Sequence, residues 1–228
     1  MHSNPAFRRV SQDRNLKFAA ERGFGVLAID GRGPLVSHIP FVVADDGAAV
    51  HAHLVRSNPI ARHVQAAEAA AVLAVSGPDS YISPDWYGTD AVDQVPTWNY
   101  VAVHIRGTLR RRPDETLRAH LDALSARFEN ELRPKPPWMP SKVSPDRLGT
   151  LMRSIMPVEL TVESVDGTWK LNQNKGNRVR LRAARHVESD GFGQETASLA
   201  RLMRNPPEDR PDATPTARPR SPASRCRR

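Results

Sequence analysis

Residues 81–107 read YISPDWYGTDAVDQVPTWNYVAVHIRG. The stretch holds all three tyrosines of the chain together with Trp86 and Trp98, in a sequence that is only 6% aromatic. From Thr97 onward the residues alternate. Trp98, Tyr100, Ala102, His104 and Arg106 fall on one side and Asn99, Val101, Val103 and Ile105 on the other, the period of a β-strand with an aliphatic face turned to a core. Large flat side chains beside Ser83, Thr97, Asn99 and His104 suit a pocket for a planar, polar ligand. Pro84 and Pro96 fix the backbone next to the aromatic pairs.

Upstream, FGVLAID (24–30), LVSHIPFVV (35–43) and AAVHAHLV (48–55) are separated by Asp30-Gly31-Arg32-Gly33 and Asp45-Asp46-Gly47, which predicts an antiparallel meander. Ser11 caps a helix that runs to about Arg22 and stops at Gly23. Ser57-Asn58-Pro59 opens another that ends near Ala70, and AVLAVS (71–76) is a short buried strand closed by Gly77-Pro78. Downstream, Leu117, Leu121, Leu124, Phe128 and Leu132 mark a helix within 113–132. The proline-rich segment 133–145 is a surface crossing, and Ser144-Pro145-Asp146 starts a further helix. VELTVESVDGTWKLNQNK (158–175) reads as a hairpin turning at Asp166-Gly167, and residues 178–204 are Arg-rich and weakly helical. Short antiparallel strands with helices between them predict an α+β domain built on a small barrel.

The chain has 228 residues and a formal charge of +8. Residues 1–204 are expected to form one domain. Residues 205–228, NPPEDRPDATPTARPRSPASRCRR, hold six prolines and nothing apolar enough to offset their ordering entropy, so a disordered Pro/Arg-rich tail is expected there. The tail carries six arginines against Glu208, Asp209 and Asp212, leaving residues 1–204 at +5. A basic balance suits nucleic acid or a phosphorylated cofactor. The single cysteine, Cys226, excludes a disulfide framework and a cysteine metal site and fits a reducing cytoplasm. No apolar run approaches the ~20 residues of a membrane span and no signal-peptide pattern is present, so a cytoplasmic protein with no membrane partner is expected.

Phosphate-cradling glycine patterns and a serine-hydrolase elbow are missing. His38, His51 and His53 lie on neighbouring strands with no acidic residue at useful spacing, so no metal site is expected. Arg56 precedes the helix start at Asn58, and a guanidinium and free amides converge there on an anion. Lys170, Gln173 and Lys175 form a second polar edge. The helix within 113–132 mixes both charge signs on its polar face, unlike a major-groove reader.

Val36-Ser37-His38-Ile39-Pro40-Phe41, His53-Leu54-Val55-Arg56-Ser57-Asn58-Pro59, Tyr81-Ile82-Ser83-Pro84-Asp85-Trp86-Tyr87, Val95-Pro96-Thr97-Trp98-Asn99-Tyr100 and Trp169-Lys170-Leu171-Asn172-Gln173-Asn174-Lys175 together resemble the PaiB family of FMN-binding proteins, also called FMN-binding negative transcriptional regulators. The resemblance implies an FMN-binding split β-barrel with peripheral helices, of the pyridoxamine-phosphate-oxidase type. It also implies a homodimer with FMN at each subunit interface. Arg56 and Asn58 would face the phosphate, and Ser83, Trp86, Thr97, Trp98 and Asn99 the ring and ribityl chain. His53, Tyr81, Tyr87, Gln173 and Lys175 complete the cofactor-binding set, and no catalytic residue is assigned. The implied function is a negative transcriptional regulator or redox sensor, with DNA bound through a basic surface or the tail. Alternatives are a flavin-dependent oxidoreductase of the split-barrel type and a haem-binding relative similar to piperazate synthase, in which His53 would be the iron ligand. Segment 88–94, GTDAVDQ, is acidic where many relatives carry a basic run.

Overall fold

Six strands form the centre of the fold: β1 (Phe24–Gly31), β2 (Gly33–Val43), β3 (Ala49–Val55), β4 (Ala69–Ile82), β5 (Thr97–Arg111) and β6 (Ile155–Lys170). A computed structural model describes residues 1–31, 33–88 and 93–207, so the expected tail lies outside the described residues from position 208 onward. The strands close into a barrel in the order β1-β2-β3-β6-β5-β4, each pair antiparallel. Around it lie α1 (Gln12–Arg22), α2 (Pro59–Ala66), α3 (Leu117–Glu131), α4 (Pro145–Arg153), α5 (Asn177–Asp190) and α6 (Thr196–Arg204). The α+β barrel with peripheral helices is therefore the architecture observed.

Alternation builds the core as it was read. Leu27, Ile29, Phe41, Val50, Leu54, Leu73, Val103 and Ile105 point inward and are buried. Two helices add to the same core, α1 through Leu16 and Ala19 and α2 through Ile60, Ala61 and Val64. Their caps are the expected ones. Ser11 Oγ accepts from Arg14 N, Gly23 takes the left-handed conformation at φ 58°, and Asn58 Oδ1 accepts from Ile60 N at 2.8 Å.

Three boundaries differ. The helix from Pro59 ends at Ala66, because the alanines from Ala69 onward pair with Leu109 and its neighbours as β4. Strand pairing overrides the helix propensity of alanine there. β4 also runs through Gly77-Pro78, which becomes a shift of register between Ser76 and Asp79 instead of a stop. The hairpin at Asp166-Gly167 does not form: both residues stay inside the 16-residue β6. Neither has the positive φ that a tight type I′ turn requires. Gly167 serves close approach instead, since a Cβ there would lie 2.0 Å from Asn15 Oδ1. That oxygen accepts from Trp169 Nε1 at 2.8 Å, tying α1 to β6.

Residues 178–204 give two packed helices. Ala183, Ala184 and Val187 of α5 and Leu199, Ala200 and Met203 of α6 bury Ile82, Tyr87, Val101, Trp169 and Leu171 in a second cluster. Asn15→Ala leaves the buried Trp169 N–H without an acceptor, and the expected loss is about 1–3 kcal/mol of unfolding free energy in urea titrations.

Candidate functional site

Strand register divides the expected site residues between opposite rims of the barrel. At one rim, His53 is level with Pro157 and Val55 with Ile155, beside Arg111 opposite Val158. At the other, Tyr81 faces Trp98, Ile82 faces Thr97 and Tyr100 faces Lys170. The 15-residue β5 connects them, on the order of 45 Å along the strand at roughly 3.3 Å per residue. His53, Arg56 and Asn58 thus lie at the first rim. Tyr81, Ser83, Trp86, Tyr87, Thr97, Trp98, Asn99, Gln173 and Lys175 lie at the second, and one chain does not bring the two groups together.

At the first rim Arg56 leaves β3 and donates from Nη2 to Asp114 Oδ2 at 2.8 Å and from Nε to the Arg153 carbonyl at 3.0 Å. Asp114 also pairs with Arg111 at 3.0 Å. Asn58 holds the start of α2 with its oxygen, and its Nδ2 donates to Ser37 Oγ at 3.0 Å. His53 lies under α3, its Nδ1 3.1 Å from His120 Nε2. His120 was missed in the sequence, although it falls on the buried stripe between Leu117 and Leu124 at helical spacing. Burial pushes His120 down to about 4, helped by the neighbouring His53, His51 and Arg112, and burial also lowers His53.

His51 has the acidic partner that its sequence neighbours do not supply. Its Nε2 lies 3.2 Å from Glu159 Oε2, brought alongside by the pairing of β3 with β6. Burial pushes the Glu159 carboxyl up, but the hydrogen bonds from Arg110 and the charges of Arg110 and Arg112 hold it below its ordinary value. Burial, then the Arg112 charge, lowers His51. Among the described residues no group of three or more His, Cys, Asp or Glu is placed to hold a metal ion.

The second rim separates surface from scaffold. Ser83 Oγ accepts from Asp85 N at 3.3 Å and caps the short 3-10 turn Pro84–Tyr87. Trp86 stacks on His186 of α5 at 5.7 Å, and Tyr87 is buried. Asn99 is also buried. Its Nδ2 faces Met203 Sδ of α6 at 3.6 Å, and its Oδ1 has no partner. Gln173 spends both ends of its amide on the backbone, accepting from Leu171 N at 2.7 Å and donating to the Trp169 carbonyl. Tyr87, Asn99 and Gln173 are therefore held within the framework of this chain.

What remains open is an aromatic corner with two lysines. The rings of Tyr81 and Trp98 lie 6.3 Å apart and inclined by 77°, and Trp98 is 43% exposed. Lys170 donates to Thr97 Oγ1, and Lys175 donates to Gln94 Oε1 with its ammonium over the Tyr87 ring. Burial and then the charge of Lys175 lower the Lys170 pKa, and neither lysine pairs with a carboxylate among the described residues. Such a pair favours an anion between or beside it. Residues 89–92 of the acidic segment lie outside the described residues. An open cleft of about 460 Å³ between α1 and α6, lined by Phe18, Trp169, Leu202 and the Arg22–Glu195 ion pair, includes none of the expected site residues.

The outer barrel face carries an apolar strip. Val26 is paired with Ala74 and Ala28 with Val72, beside exposed Phe24 and Val36.

The sequence profile of the family described as "Putative FMN-binding domain" matches residues 1–164. The chain belongs to this family. The chain is 27% identical over 200 residues to the protease synthase and sporulation protein PAI 2 of Bacillus subtilis, covering 86% of this chain and 93% of that one. Among solved structures, the FAD and haem binding protein from Mycobacterium smegmatis is 16% identical with a TM-score of 0.53, covering 82% of each chain. The conserved hypothetical protein Rv2991 from Mycobacterium tuberculosis is 12% identical, also with a TM-score of 0.53, covering 77% of this chain and 94% of that one. These likenesses show a common fold, the split barrel that the sequence motifs implied. No helix among the described residues is long and apolar enough to cross a membrane.

The buried histidine pair makes stability depend on pH. A His120 pKa of about 4, below the unfolded value of 6.5, means that the unfolded chain binds the proton first as pH falls. Stability is then full above about pH 6.5 and declines toward about pH 4, by a total of about 3 kcal/mol. His51 and His53, lowered in the same direction, add to the slope. Chemical denaturation at a series of pH values checks this, and His120→Phe is expected to flatten most of the decline.

Proposed function

We propose that the chain binds flavin mononucleotide between two copies of itself and acts as a flavin-dependent transcriptional regulator or redox sensor. The observation that carries this reading is the second rim, where an open aromatic corner stands beside two lysines that meet no carboxylate among the described residues. A flat ring joined to a phosphate has the matching chemistry. Arg56 and the start of α2 offer a further anion-binding group, but at the opposite rim. A second copy supplies the missing half, and the apolar strip of β1, β2 and β4 is the face on which it would pack. The family's description favours FMN as the flavin. His53 is hydrogen-bonded to His120 beneath α3, which favours flavin over a haem ligated by His53.

When bound, the flavin supplies reversible electron transfer. The chain's own residues bind and orient it: Arg56, Lys170 and Lys175 through charge, Tyr81 and Trp98 through ring contact. DNA recognition would rest on the net charge of +8, with affinity falling steeply as salt rises.

Purified protein is expected to be yellow or to take up added FMN, seen in its absorption spectrum; a colourless protein that binds no FMN sinks the reading. Arg56→Met and the double variant Lys170→Met/Lys175→Met are each expected to weaken FMN by about tenfold or more in flavin-fluorescence titrations while changing riboflavin, which has no phosphate, much less. Light scattering should give about twice the chain mass of 25.3 kDa, and Val36→Asp should shift it toward the single chain. In a mobility-shift assay, a DNA complex that fails to weaken with salt argues against the regulatory role.

A further inference from the structure

We infer that Phe192, on the loop between α5 and α6, is a further wall of the flavin-ring site, held beside Trp98 and Tyr81 to contact the isoalloxazine ring. The inference rests on the flavin reading above. The loop is laid along the end of β4: Tyr81 N donates to the Phe192 carbonyl at 3.0 Å, and Asp79 N to the Gln194 carbonyl at 3.0 Å. Gln194 N returns a hydrogen bond to Asp79 Oδ1 at 3.0 Å, and Ser80 Oγ reaches the Phe192 carbonyl at 3.3 Å. Gly193 makes this approach possible, because a Cβ there would lie 2.4 Å from the Asp79 carbonyl oxygen. The backbone from Phe192 to Gln194 is thereby fixed, yet Phe192 is 73% exposed. A single exposed apolar side chain is ordinary; what marks Phe192 is that its ring lies against Trp98, which in turn meets Tyr81.

The rings of Trp98 and Phe192 lie 6.1 Å apart and inclined by 58°, and those of Tyr81 and Trp98 are inclined by 77°. Inclined rings make a corner instead of a closed stack, so a flat ring lying on one face meets the edges of the others, an arrangement that aromatic quadrupoles favour. The lysines put positive charge at the same rim: Lys170 stands opposite Tyr100, on the face that alternation gives Trp98, and is bonded to Thr97. A flat heteroaromatic ring bearing an anionic group satisfies both features.

The test titrates FMN and riboflavin into the full chain and into Phe192→Ala and Phe192→Tyr, following flavin fluorescence, with the association state measured on the same samples. Phe192→Ala is expected to weaken both flavins by about tenfold, unlike the lysine variant, which discriminates between them, and Phe192→Tyr to restore affinity to within about twofold. Unchanged flavin affinity in Phe192→Ala overturns the inference. Dissociation of Phe192→Ala into single chains, at concentrations where the parent stays associated, also overturns it and makes the ring a protein–protein contact. If the parent chain takes up no flavin, the flavin reading fails first and this inference falls with it.

Discussion

The fold depends on the continuity of β6. Its first residues, Ile155 to Thr161, pair with β3, while Val158 to Lys170 pair with β5, so the strand joins the N-terminal meander to the long central pair. A turn back at Asp166-Gly167 would remove Trp169 and Lys170 from opposite Val101 and Tyr100, and the second rim would lose one side. Pairing with β5 carries the strand through this point, and a contact from outside supports it. Asn15 of α1 fills the space over Gly167 and binds the Trp169 indole, so α1 is tied to the last strand where a turn would otherwise be read.

The legible parts of the sequence were those decided by local periodicity. The meander of β1 to β3 and the two faces of β5 follow from alternation, the starts of α1 and α2 from cap residues that act on their own first turn, and that of α4 from proline at its first position. The misreadings were those in which a distant partner decides. Asp-Gly is a turn signal unless another side chain needs the space of the missing Cβ, and Gly167 is used in that second way. Glu159 finds His51 only through strand pairing, and His120 is hidden among leucines because a buried histidine reads as a break in an apolar stripe. Asn99 shows a different limit. Alternation already set it on the face opposite Trp98, so the two cannot present side chains to the same surface of one chain, and the structure puts Asn99 under α6.

Charge distribution separates the rims further. At the first, every arginine named has a carboxylate partner, with two cations to each anion: Arg56 and Arg111 share Asp114, and Arg110 and Arg112 surround Glu159. Ion pairs of this kind add little stability at a surface, but they hold side chains in fixed places. At the second, Lys170 and Lys175 repel each other and are steadied by neutral oxygens of Thr97 and Gln94. At one rim carboxylates hold the arginines in place, and at the other no carboxylate among the described residues meets the two lysines.

The family profile matches up to residue 164, and the second hydrophobic cluster runs beyond it. Trp169, Leu171 and the inner faces of α5 and α6 cover Ile82, Tyr87 and Val101, residues that belong to the segment carrying the family's own motifs. A fragment ended at the profile's edge would expose those side chains to water, together with Ser80 and Asn99, and would give up the salt bridge by which Glu195 clasps Arg22 across the cleft between α1 and α6. The recognisable pattern and the physically self-sufficient unit thus have different lengths. Helices that read as only weakly helical in the sequence are the wall against which Ile82, Tyr87 and Val101 are packed.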